Sequence, residues 1–464
     1  MSSKWIRNCV RSMSRSDKGR RPVPCRRRVS PPLELEALEQ RWVPTVLRPG
    51  VINYQVGSAL HENVFVESGV DLFVRTWDGT QWHSPVNLGN GGLALNYGTP
   101  APINYGSFEN VFVVDGTGTN LYYAFTANGT TWTWVNLGNP GLRIASDPTV
   151  VNFLVGSVLH ENVFVVDAHG NLELKAYNGS TWQNWVNLGR PFSQLNQSTD
   201  PAAINYGSYE NVFATDILGN VNYAWTNNGT TWHWVNLGNP GVGVFSTPAP
   251  INYVGPYEDV FVRDNNGNLD NVYWNGAAWH WSFLGNAGLP LRGDPAVINY
   301  PVGGGLNQTV FVQDISNNMN LASWNGSWHW SNLGNPFNHV GLGDPSVINI
   351  QVGSTLHQNV FMDIGDLRLL YWDGFSWHWG DFHSPAIPSS APASSSLAQP
   401  QTIQVSQAGP TLSVAAAGAS VPQLGISEAA KAHDLLFTTL AGKQDFLEPL
   451  GLLSAAAIDP LVVR

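Results

Sequence analysis

The sequence predicts an all-β protein built as one seven-bladed propeller of four-stranded blades, with a basic head before it and a short helical tail after it. Three observations lead to this fold class. A phrase close to Ile-Asn-Tyr returns seven times, aromatic residues make up 11% of the chain, and Gly-Asn, Asn-Gly and Asp-Gly pairs separate short apolar runs. Such pairs favour tight turns, so we expect hairpins rather than long helices.

The repeat period sets the blade number. The Asn of the recurring phrase lies at positions 53, 104, 152, 205, 252, 299 and 349, so its intervals are 47 to 53 residues. A period close to this is expected of four-stranded propeller blades, and seven is a usual number for ring closure. The repeats are predicted to begin near residues 50, 101, 149, 202, 249, 296 and 346.

Each repeat is predicted to supply four strands in one order. A strand centred on Val-Phe follows the Ile-Asn-Tyr strand, and a third strand ends at Asn-Gly or Asp-Gly. The fourth carries Trp-x-Trp and Leu-Gly, as in Trp232–Gly238. Residues two apart on a strand share a face, so each Trp pair forms a slab suited to packing on the next blade. Trp182 and Trp185 are three apart, which predicts a bulge, and the first repeat has Trp82 alone.

The first hairpin of each repeat has more than one length. The Asn-to-Val separation is 11 in repeats one, three, six and seven and 7 in repeats two and four. A difference of four residues keeps the inward and outward alternation of both arms. Repeat five, at 8, breaks this parity near Gly255-Pro256, which predicts a bulge or a different loop.

The predicted propeller spans residues 46–383, and two further segments follow it. Residues 384–425 are rich in Ser, Ala and Pro and are predicted to be a linker. In the tail, 426–464, Ser427 is a plausible N-cap for a helix that ends near Leu440. Helical spacing brings apolar residues onto one side of it; these are Ala429, Ala432, Leu435, Leu436 and Leu440. Docking of this side on the propeller and docking on a protein partner both stay open.

Charge is divided unevenly along the chain. Residues 1–50 hold 12 Lys/Arg and 4 Asp/Glu, a net of +8, so the remaining residues carry 10 basic and 29 acidic groups, a net of −19. So acidic a body offers no row of cations for a phosphate backbone, and we predict no nucleic-acid partner. No window of eighteen apolar residues exists, which argues against a membrane-spanning helix. Both cysteines, Cys9 and Cys25, lie in the head, so the body has no thiolate nucleophile.

The basic head, residues 1–45, is predicted to be an export or sorting segment. Within it, Leu33–Pro44 reads LELEALEQRWVP. This resembles the LE-x-LE-x-R segment near the N-termini of exported planctomycete surface proteins. The resemblance implies a secreted or cell-surface location. The alternative is a basic tail that leads into one amphipathic helical turn.

The repeat as a whole resembles the PLL-like propeller lectins of bacteria, which include fucose-binding members, and more loosely the fungal fucose lectins and tectonins. The similarity covers about 335 residues and rests on an ordered set of features. These are Asp-Pro-Ala-Val before the first strand (Asp294–Val297), Val-Phe-Val in the second, Trp-Asp-Gly or Trp-Asn-Gly after the third, then Trp-x-Trp and Leu-Gly. The resemblance implies a propeller lectin that binds glycans, fucose-containing ones among them.

A sugar site needs an aromatic face for the C–H side of the ring and fixed polar groups for its hydroxyls. The Trp-His-Trp strands supply both, together with the Trp near the end of the third strand. The candidate carbohydrate-binding residues are Trp225, His233, Trp234, Trp274, His280, Trp281, Trp324, His329, Trp330, Trp372, His378 and Trp379. In each strand the His faces away from the Trp pair and towards a cleft between blades. The alternative is that each Trp packs between blades and each His satisfies a backbone carbonyl.

A second recurring group is His61-Glu62-Asn63, with His160-Glu161-Asn162 and His357-Gln358-Asn359 as its other copies. Adjacent strand residues point to opposite faces, and copies in different blades cannot converge on one ion. We therefore interpret the group as a polar cap of the hairpin, and we predict no metal, no cofactor and no catalytic residue.

These observations predict a non-enzymatic, exported carbohydrate-binding propeller with several sites that act together. The first alternative is a cell-surface or assembly protein whose propeller or tail binds another protein. A glycoside hydrolase is the weaker alternative, because Thr126–Trp132 lacks the Asp-x-Gly spacing of the sialidase turn and the arginines are scattered.

Overall fold

The computed structural model describes residues 48–382, apart from 57–58, 96–97, 106–107, 156–157, 207–208, 253–256, 303–304, 337–342, 353–354 and 364–366. The predicted head, linker and tail therefore lie outside the described residues, and so does Gly255-Pro256. Of the two compact units in the chain, Met1–Val43 and Pro44–Arg464, the described residues all belong to the second.

The described residues form seven four-stranded sheets, each made of consecutive strands. Blade 1 contains β1 (Gly50–Val56), β2 (Ala59–Ser68), β3 (Asp71–Trp77) and β4 (Val86–Gly89). Blade 2 contains β5 (Ala101–Tyr105), β6 (Phe108–Val114), β7 (Leu121–Thr126) and β8 (Thr133–Gly138). Blade 3 contains β9 (Thr149–Val155), β10 (Val158–Val166), β11 (Leu172–Tyr177) and β12 (Val186–Gly189).

The remaining blades repeat this arrangement. Blade 4 contains β13 (Ala202–Tyr206), β14 (Tyr209–Thr215), β15 (Val221–Thr226) and β16 (His233–Gly238). Blade 5 contains β17 (Ala249–Asn252), β18 (Glu258–Arg263), β19 (Leu269–Trp274) and β20 (Trp279–Gly285). Blade 6 contains β21 (Leu291–Val302), β22 (Gly305–Asp314), β23 (Met319–Trp324) and β24 (Trp328–Gly334). Blade 7 contains β25 (Ser346–Val352), β26 (Thr355–Asp363), β27 (Leu367–Trp372) and β28 (Trp377–Asp381). The predicted fold class, an all-β seven-bladed propeller of four-stranded blades, is confirmed.

The recurring Asn residues form a closed ring along the innermost strands. Each side-chain Nδ2 donates to the backbone carbonyl of the equivalent Asn in the preceding blade, at 2.6 to 3.0 Å. Asn53 of blade 1 donates to Asn349 of blade 7, so the last bond joins the two ends of the ring. We call this set the Asn ring: Asn53, Asn104, Asn152, Asn205, Asn252, Asn299 and Asn349.

The first hairpin keeps one register in every blade despite its varying length. The ring Asn always pairs with the Glu or Gln that precedes the central Val-Phe by two residues, as Asn53 with Glu62, Asn104 with Glu109 and Asn252 with Glu258. The longer hairpins of blades 1, 3, 6 and 7 therefore extend the two arms without changing which residues face the core. Blade 5 reaches the same register with its odd loop length.

The turn between the second and third strands is fixed by an aspartate. In blade 3, Asp167 Oδ1 accepts hydrogen bonds from the amides of His169 and Asn171 at 2.8 Å. Gly170 adopts a φ of 72° there, in the left-handed region that favours glycine. Blade 6 has Asn317 at this position, with a φ of 64°, because Asn tolerates that region better than other side chains do.

Aromatic side chains connect neighbouring blades. The Phe at the centre of each second strand is fully buried, and the first Trp of the next blade meets it edge-on. Ring centroids are 5.4 to 6.0 Å apart, with interplanar angles of 73° to 78°. The pairs are Phe65–Trp132, Phe112–Trp182, Phe164–Trp232, Phe213–Trp279, Phe261–Trp328, Phe311–Trp377 and Phe361–Trp82. Such edge-to-face pairs add to the free energy gained from burial.

Blade 3 confirms the irregularity predicted from its Trp spacing. Trp182 lies outside β12 in an isolated bridge with Tyr177, and the chain between Trp182 and Trp185 departs from strand geometry. Both indoles still reach the positions that the Trp pairs of other blades occupy, on Phe112 and on the carbonyl of Leu137.

No helix in the described part of the chain is long and apolar enough to cross a membrane.

Candidate functional site

Neighbouring blades are separated by clefts, and each blade supplies one wall of the cleft on either side of it. Buried Asn–Glu contacts between blades show which of these two clefts a strand residue faces. Asn162 Nδ2 of blade 3 lies 2.9 Å from both carboxylate oxygens of Glu210 in blade 4, and Asn211 of blade 4 lies 3.0 Å from both oxygens of Glu258 in blade 5. The same contact joins blades 1 and 2, blades 2 and 3, and blades 7 and 1, and in blade 5 Asp259 accepts from Gln308 of blade 6 instead. The Glu or Gln therefore points to the preceding blade, and the residue after it points to the next one. These residues are buried, so the interpretation of Glu and Asn as a hairpin cap is wrong.

Burial changes the protonation of these carboxyl groups. Desolvation raises the pKa of Glu62 to about 8 and that of Glu161, Glu210 and Glu258 to about 7, and the hydrogen bond from the neighbouring Asn opposes this shift. The same desolvation raises the pKa of Glu109. The carboxyl groups are thus structural links inside the blade junctions, closed to substrate by burial.

Trp225 and His233 lie on the wall of blade 4 that faces blade 5. Trp225 is directly opposite Asn211 in the sheet register, and His233 is directly opposite Trp225. Opposite residues of an antiparallel pair project to one face. The rings of Trp225 and His233 stack at a centroid distance of 4.7 Å, and Tyr209 extends the aromatic surface 6.1 Å from Trp225.

Trp274 supplies the facing wall of the same cleft. It lies opposite Glu258 in the register of blade 5, and Glu258 points towards blade 4. The indole is half-buried and packs against Trp279, with ring centroids 5.8 Å apart. The cleft between blades 4 and 5, which we call the 4/5 cleft, therefore has an imidazole and an indole on one wall and a second indole on the other.

The next two clefts keep the imidazole on one wall and the indole on the other, without a second indole beside the imidazole. In the 5/6 cleft, His280 stacks near Tyr273 at 5.5 Å and contacts the Asn275 side chain at 2.8 Å, with Trp324 on the facing wall. In the 6/7 cleft, His329 contacts the Ser327 hydroxyl at 2.9 Å, and Trp372 lies on the facing wall. His233, His280 and His329 are exposed, whereas Trp274, Trp324 and Trp372 are half-buried.

The 7/1 cleft differs in the wall that faces the imidazole, which is supplied by blade 1. His378 stacks on Tyr371 at 5.2 Å and contacts Asp373 at 2.9 Å and Ser376 at 2.8 Å. The facing indole is Trp77, which packs against Trp82 and is only 6% exposed. The imidazole is present, but the second aromatic surface is closed.

The other three clefts have no indole on the facing wall. The equivalent positions are occupied by Thr126, Tyr177 and Thr226. His83 of blade 1 still contacts Asp78 at 2.7 Å, so an imidazole and a carboxylate are present in the 1/2 cleft. The clefts therefore differ from one another in the residues that line their walls.

The aspartates beside two of these imidazoles are held ionised. Hydrogen bonds from the side chain of Thr80 and then from backbone amides lower the pKa of Asp78, while the amide of Ser376 is the largest cause of the lowered pKa of Asp373. A carboxylate paired with an imidazole offers both an acceptor and a donor to a hydroxyl-rich ligand.

The second Trp of each pair faces the opposite blade junction. Its indole Nε1 donates to the Leu carbonyl in the Leu-Gly of the preceding blade, at 2.8 to 2.9 Å in blades 4 to 7. The Trp residues are Trp234, Trp281, Trp330 and Trp379. These four candidate residues thus link blades and lie away from the imidazoles of their own strands.

The structure also changes how the third-strand candidates align. Trp225 pairs with the His of its blade, whereas Trp274, Trp324 and Trp372 pair with the first Trp of theirs. The true equivalents of Trp225 are Tyr273, Ser323 and Tyr371. Repeat two and repeat four carry one extra residue before Asn-Gly, and counting back from that turn would have revealed the offset.

Sequence reasoning missed Tyr273, Tyr371 and the Asp78–His83 pair. Their signal was available, because each tyrosine precedes the end of a third strand by one residue and His83 follows Trp82 as the other histidines follow their Trp.

A second polar cluster lies near the N-terminal ends of the first strands, where each repeat carries an X-Pro pair. The side chains of Asp147, Asp200, Asp294 and Asp344 each accept a hydrogen bond from the backbone amide of the preceding blade's Thr or Asp. Arg48 reaches across to the carbonyl of Pro295 at 3.0 Å. Arg48, Asp147 and Asp200 are among the residues that line a cavity of about 110 Å³. Among the described residues, no group of three or more His, Cys, Asp or Glu side chains is arranged to hold a metal ion.

Comparisons with known proteins return structures rather than sequence families. No protein-family model matches the chain, and no curated protein matches it. Among solved structures, the fungal lectin of Aleuria aurantia, a six-bladed propeller with fucose recognition, is 15% identical with a TM-score of 0.45, covering 63% of this chain and 96% of that one. The SapL1 lectin in complex with α-methyl fucoside is 17% identical with a TM-score of 0.41, covering 61% and 94%. BBS1N in complex with ARL6DN is 12% identical with a TM-score of 0.45, covering 70% and 93%.

Proposed function

We propose that this protein is a non-catalytic carbohydrate-binding propeller whose sugar sites are the 4/5, 5/6 and 6/7 clefts. The observation that carries the proposal is that each cleft combines an exposed imidazole on one wall with a half-buried indole on the other. An indole face matches the C–H side of a pyranose, and an imidazole with its polar partner can exchange hydrogen bonds with hydroxyls.

Several weak sites on one rigid ring would act together on a glycan surface. Binding at a second cleft becomes intramolecular once the first is occupied, so avidity exceeds the affinity of any one site. Fucose is the first sugar to test, because the resemblance to PLL-like lectins implies it. An exported location, which glycans outside the cell would require, is part of the proposal.

The test is a glycan array probed with the full chain, with and without free fucose or other monosaccharides as competitors. Trp274→Ala, Trp324→Ala and Trp372→Ala are expected to weaken array binding singly and to abolish it together. His169→Ala is the matched control, because His169 is exposed in the β10–β11 turn on the other face of the ring. Competable binding that the triple variant loses supports the proposal. A folded wild-type protein that is silent on the array, or a triple variant that binds normally, overturns it.

A further inference from the structure

An apolar patch lies on the face of the propeller that carries the turns between the second and third strands. The cleft histidines lie near the opposite face, which carries the turns between the third and fourth strands. In the β14–β15 turn Ile217 is 59% exposed and Leu218 is 68% exposed, and Phe245 in the connection between blades 4 and 5 is 46% exposed. The amide of Val244 donates to the carbonyl of Gly219 at 2.9 Å, which holds the turn and the connection side by side. We call Ile217, Leu218 and Phe245 the apolar patch.

The turn does not need these side chains in order to fold. The same Asp-x-x-Gly-Asn turn has Ala168-His169 in blade 3 and Asn265-Asn266 in blade 5, with the same hydrogen bonds to the aspartate. Contiguous exposed apolar side chains that the fold does not require mark a contact surface.

The chain leaves the propeller on the same face as the patch. Asp381 at the end of β28 pairs with Arg368 at the start of β27, so β28 ends beside the turn between the second and third strands of blade 7. The β14–β15 turn is the equivalent turn of blade 4. The sequence after Phe382 therefore starts from the face that exposes Ile217 and Leu218.

The segment between the propeller and the predicted helix is long enough to span the distance from blade 7 to the apolar patch on blade 4. A random-coil chain as long as segment 383–426 has a root-mean-square end-to-end distance of about 36 Å. A blade of four strands is about 15 Å wide. The linker is long enough to reach blade 4 from blade 7, and residues 427–440 beyond it place Leu435, Leu436 and Leu440 on one side of a helix.

We propose that residues 427–440 form an amphipathic helix that docks on the apolar patch of the same chain. The leucines cover Ile217, Leu218 and Phe245, and the polar side of the helix, with Lys431 and Asp434, faces solvent. The docked tail occupies the face opposite the proposed sugar sites and leaves the clefts open. The proposal is independent of the proposed function.

Hydrogen exchange in the full chain tests this docking. Amides of residues 429–440 are expected to exchange about tenfold or more slowly than in an isolated peptide of the same sequence. Leu218→Asp and Phe245→Asp in the patch, and Leu436→Asp in the tail, should each remove this protection. Phe375→Asp is the matched control, because Phe375 is 86% exposed in a turn on the opposite face.

Cleavage by trypsin at Lys431 gives a second readout, since a docked helix slows proteolysis there and the three variants should restore it. A wild-type tail without protection overturns the proposal, and so does protection that the patch variants leave unchanged. Protection that disappears on dilution overturns docking within one chain and assigns the patch to a second copy.

Discussion

At the residue scale, polar side chains specify which blade surfaces meet. The Asn ring and the Asn–Glu pairs each reach from one blade to the next, and their side-chain amide donors find acceptors only when neighbouring blades are in register. Apolar contacts alone tolerate sliding, whereas a buried donor without its acceptor is costly. These bonds therefore select one alignment of otherwise similar blades.

The buried glutamates predict that stability falls as pH rises. Their pKa values, about 7 to 8 in the folded protein, lie above the ordinary value of 4.5, so the folded state binds more protons than the unfolded chain between these limits. The stabilisation is complete below about pH 4.5 and is lost as pH rises through 7 to 8, with a slope of up to about 1.4 kcal/mol per pH unit for each glutamate. Urea unfolding between pH 5 and about 8.5 measures this slope.

Glu161→Gln is the matched variant for this experiment, because blades 6 and 7 already have Gln308 and Gln358 at the equivalent position. It should keep the fold and reduce the slope by the contribution of one proton. A slope of zero in the wild-type protein, or one that Glu161→Gln leaves unchanged, contradicts the assignment.

Loss of one Asn-ring side chain should destabilise the whole propeller. Asn152→Ala removes the side-chain donor to the Asn104 carbonyl, which lies 3.0 Å away. The free energy of unfolding should fall by about 1–3 kcal/mol. Asn266→Ala in an exposed turn is the control, and its effect should stay within about 0.5 kcal/mol. Equal effects in thermal unfolding would argue against a structural role for the ring.

At the element scale, the fourth strand is the connector between blades. Its first Trp meets a buried Phe of the preceding blade, and its second Trp donates to a backbone carbonyl there. The spacing of two places both indoles on one face, which is why the sequence predicted this packing. The one-residue offset of Trp225 was missed because repeat four has one extra residue between the end of its third strand and the Asn-Gly turn, and the pairing with β16 shows it directly.

An inter-blade Trp contributes both the packing of its ring and a hydrogen bond from its indole Nε1, and substitution by Phe separates these two contributions. Trp234→Phe keeps a ring but removes the donor to the Leu188 carbonyl, 2.9 Å away, so the free energy of unfolding should fall by about 1–3 kcal/mol. Trp82 is the comparison, since this inter-blade Trp has a buried Nε1 with no hydrogen-bond partner in the described structure. Trp82→Phe should therefore cost less than Trp234→Phe in urea unfolding. The reverse order would mean that ring volume, and not the hydrogen bond, dominates.

At the scale of the whole molecule, the described strands of blades 7 and 1 close the ring without sharing a sheet. Each blade consists of consecutive strands, so among the described residues side-chain and backbone contacts between these two blades form the junction. Phe382 extends beyond β28 to meet Trp82 at 5.0 Å, and the Arg75 guanidinium lies 4.5 Å over the Phe382 ring. The Asn53 bond and the Asn359–Glu62 pair complete the junction.

Phe382→Ala is expected to weaken this closure specifically. Removing an almost fully buried Phe costs about 3–5 kcal/mol, and the loss should speed hydrogen exchange in β1 and β28 more than in blades 3 to 5. Phe375→Ala, in an exposed turn of the same blade, should change neither. Uniform acceleration around the ring would show that the molecule opens as one cooperative unit instead.

The sequence by itself determined the blade number, the strand order and the inter-blade role of the Trp pairs. All of these are periodic, and local spacing decides which face a strand residue occupies. Only the tertiary structure decided what the cleft walls are made of, because each wall belongs to a different blade and the facing residues, such as His233 and Trp274, are far apart in sequence. The burial of Glu62 and the carbonyl acceptors of the indoles were likewise outside the reach of local pattern, since their partners come from a neighbouring blade.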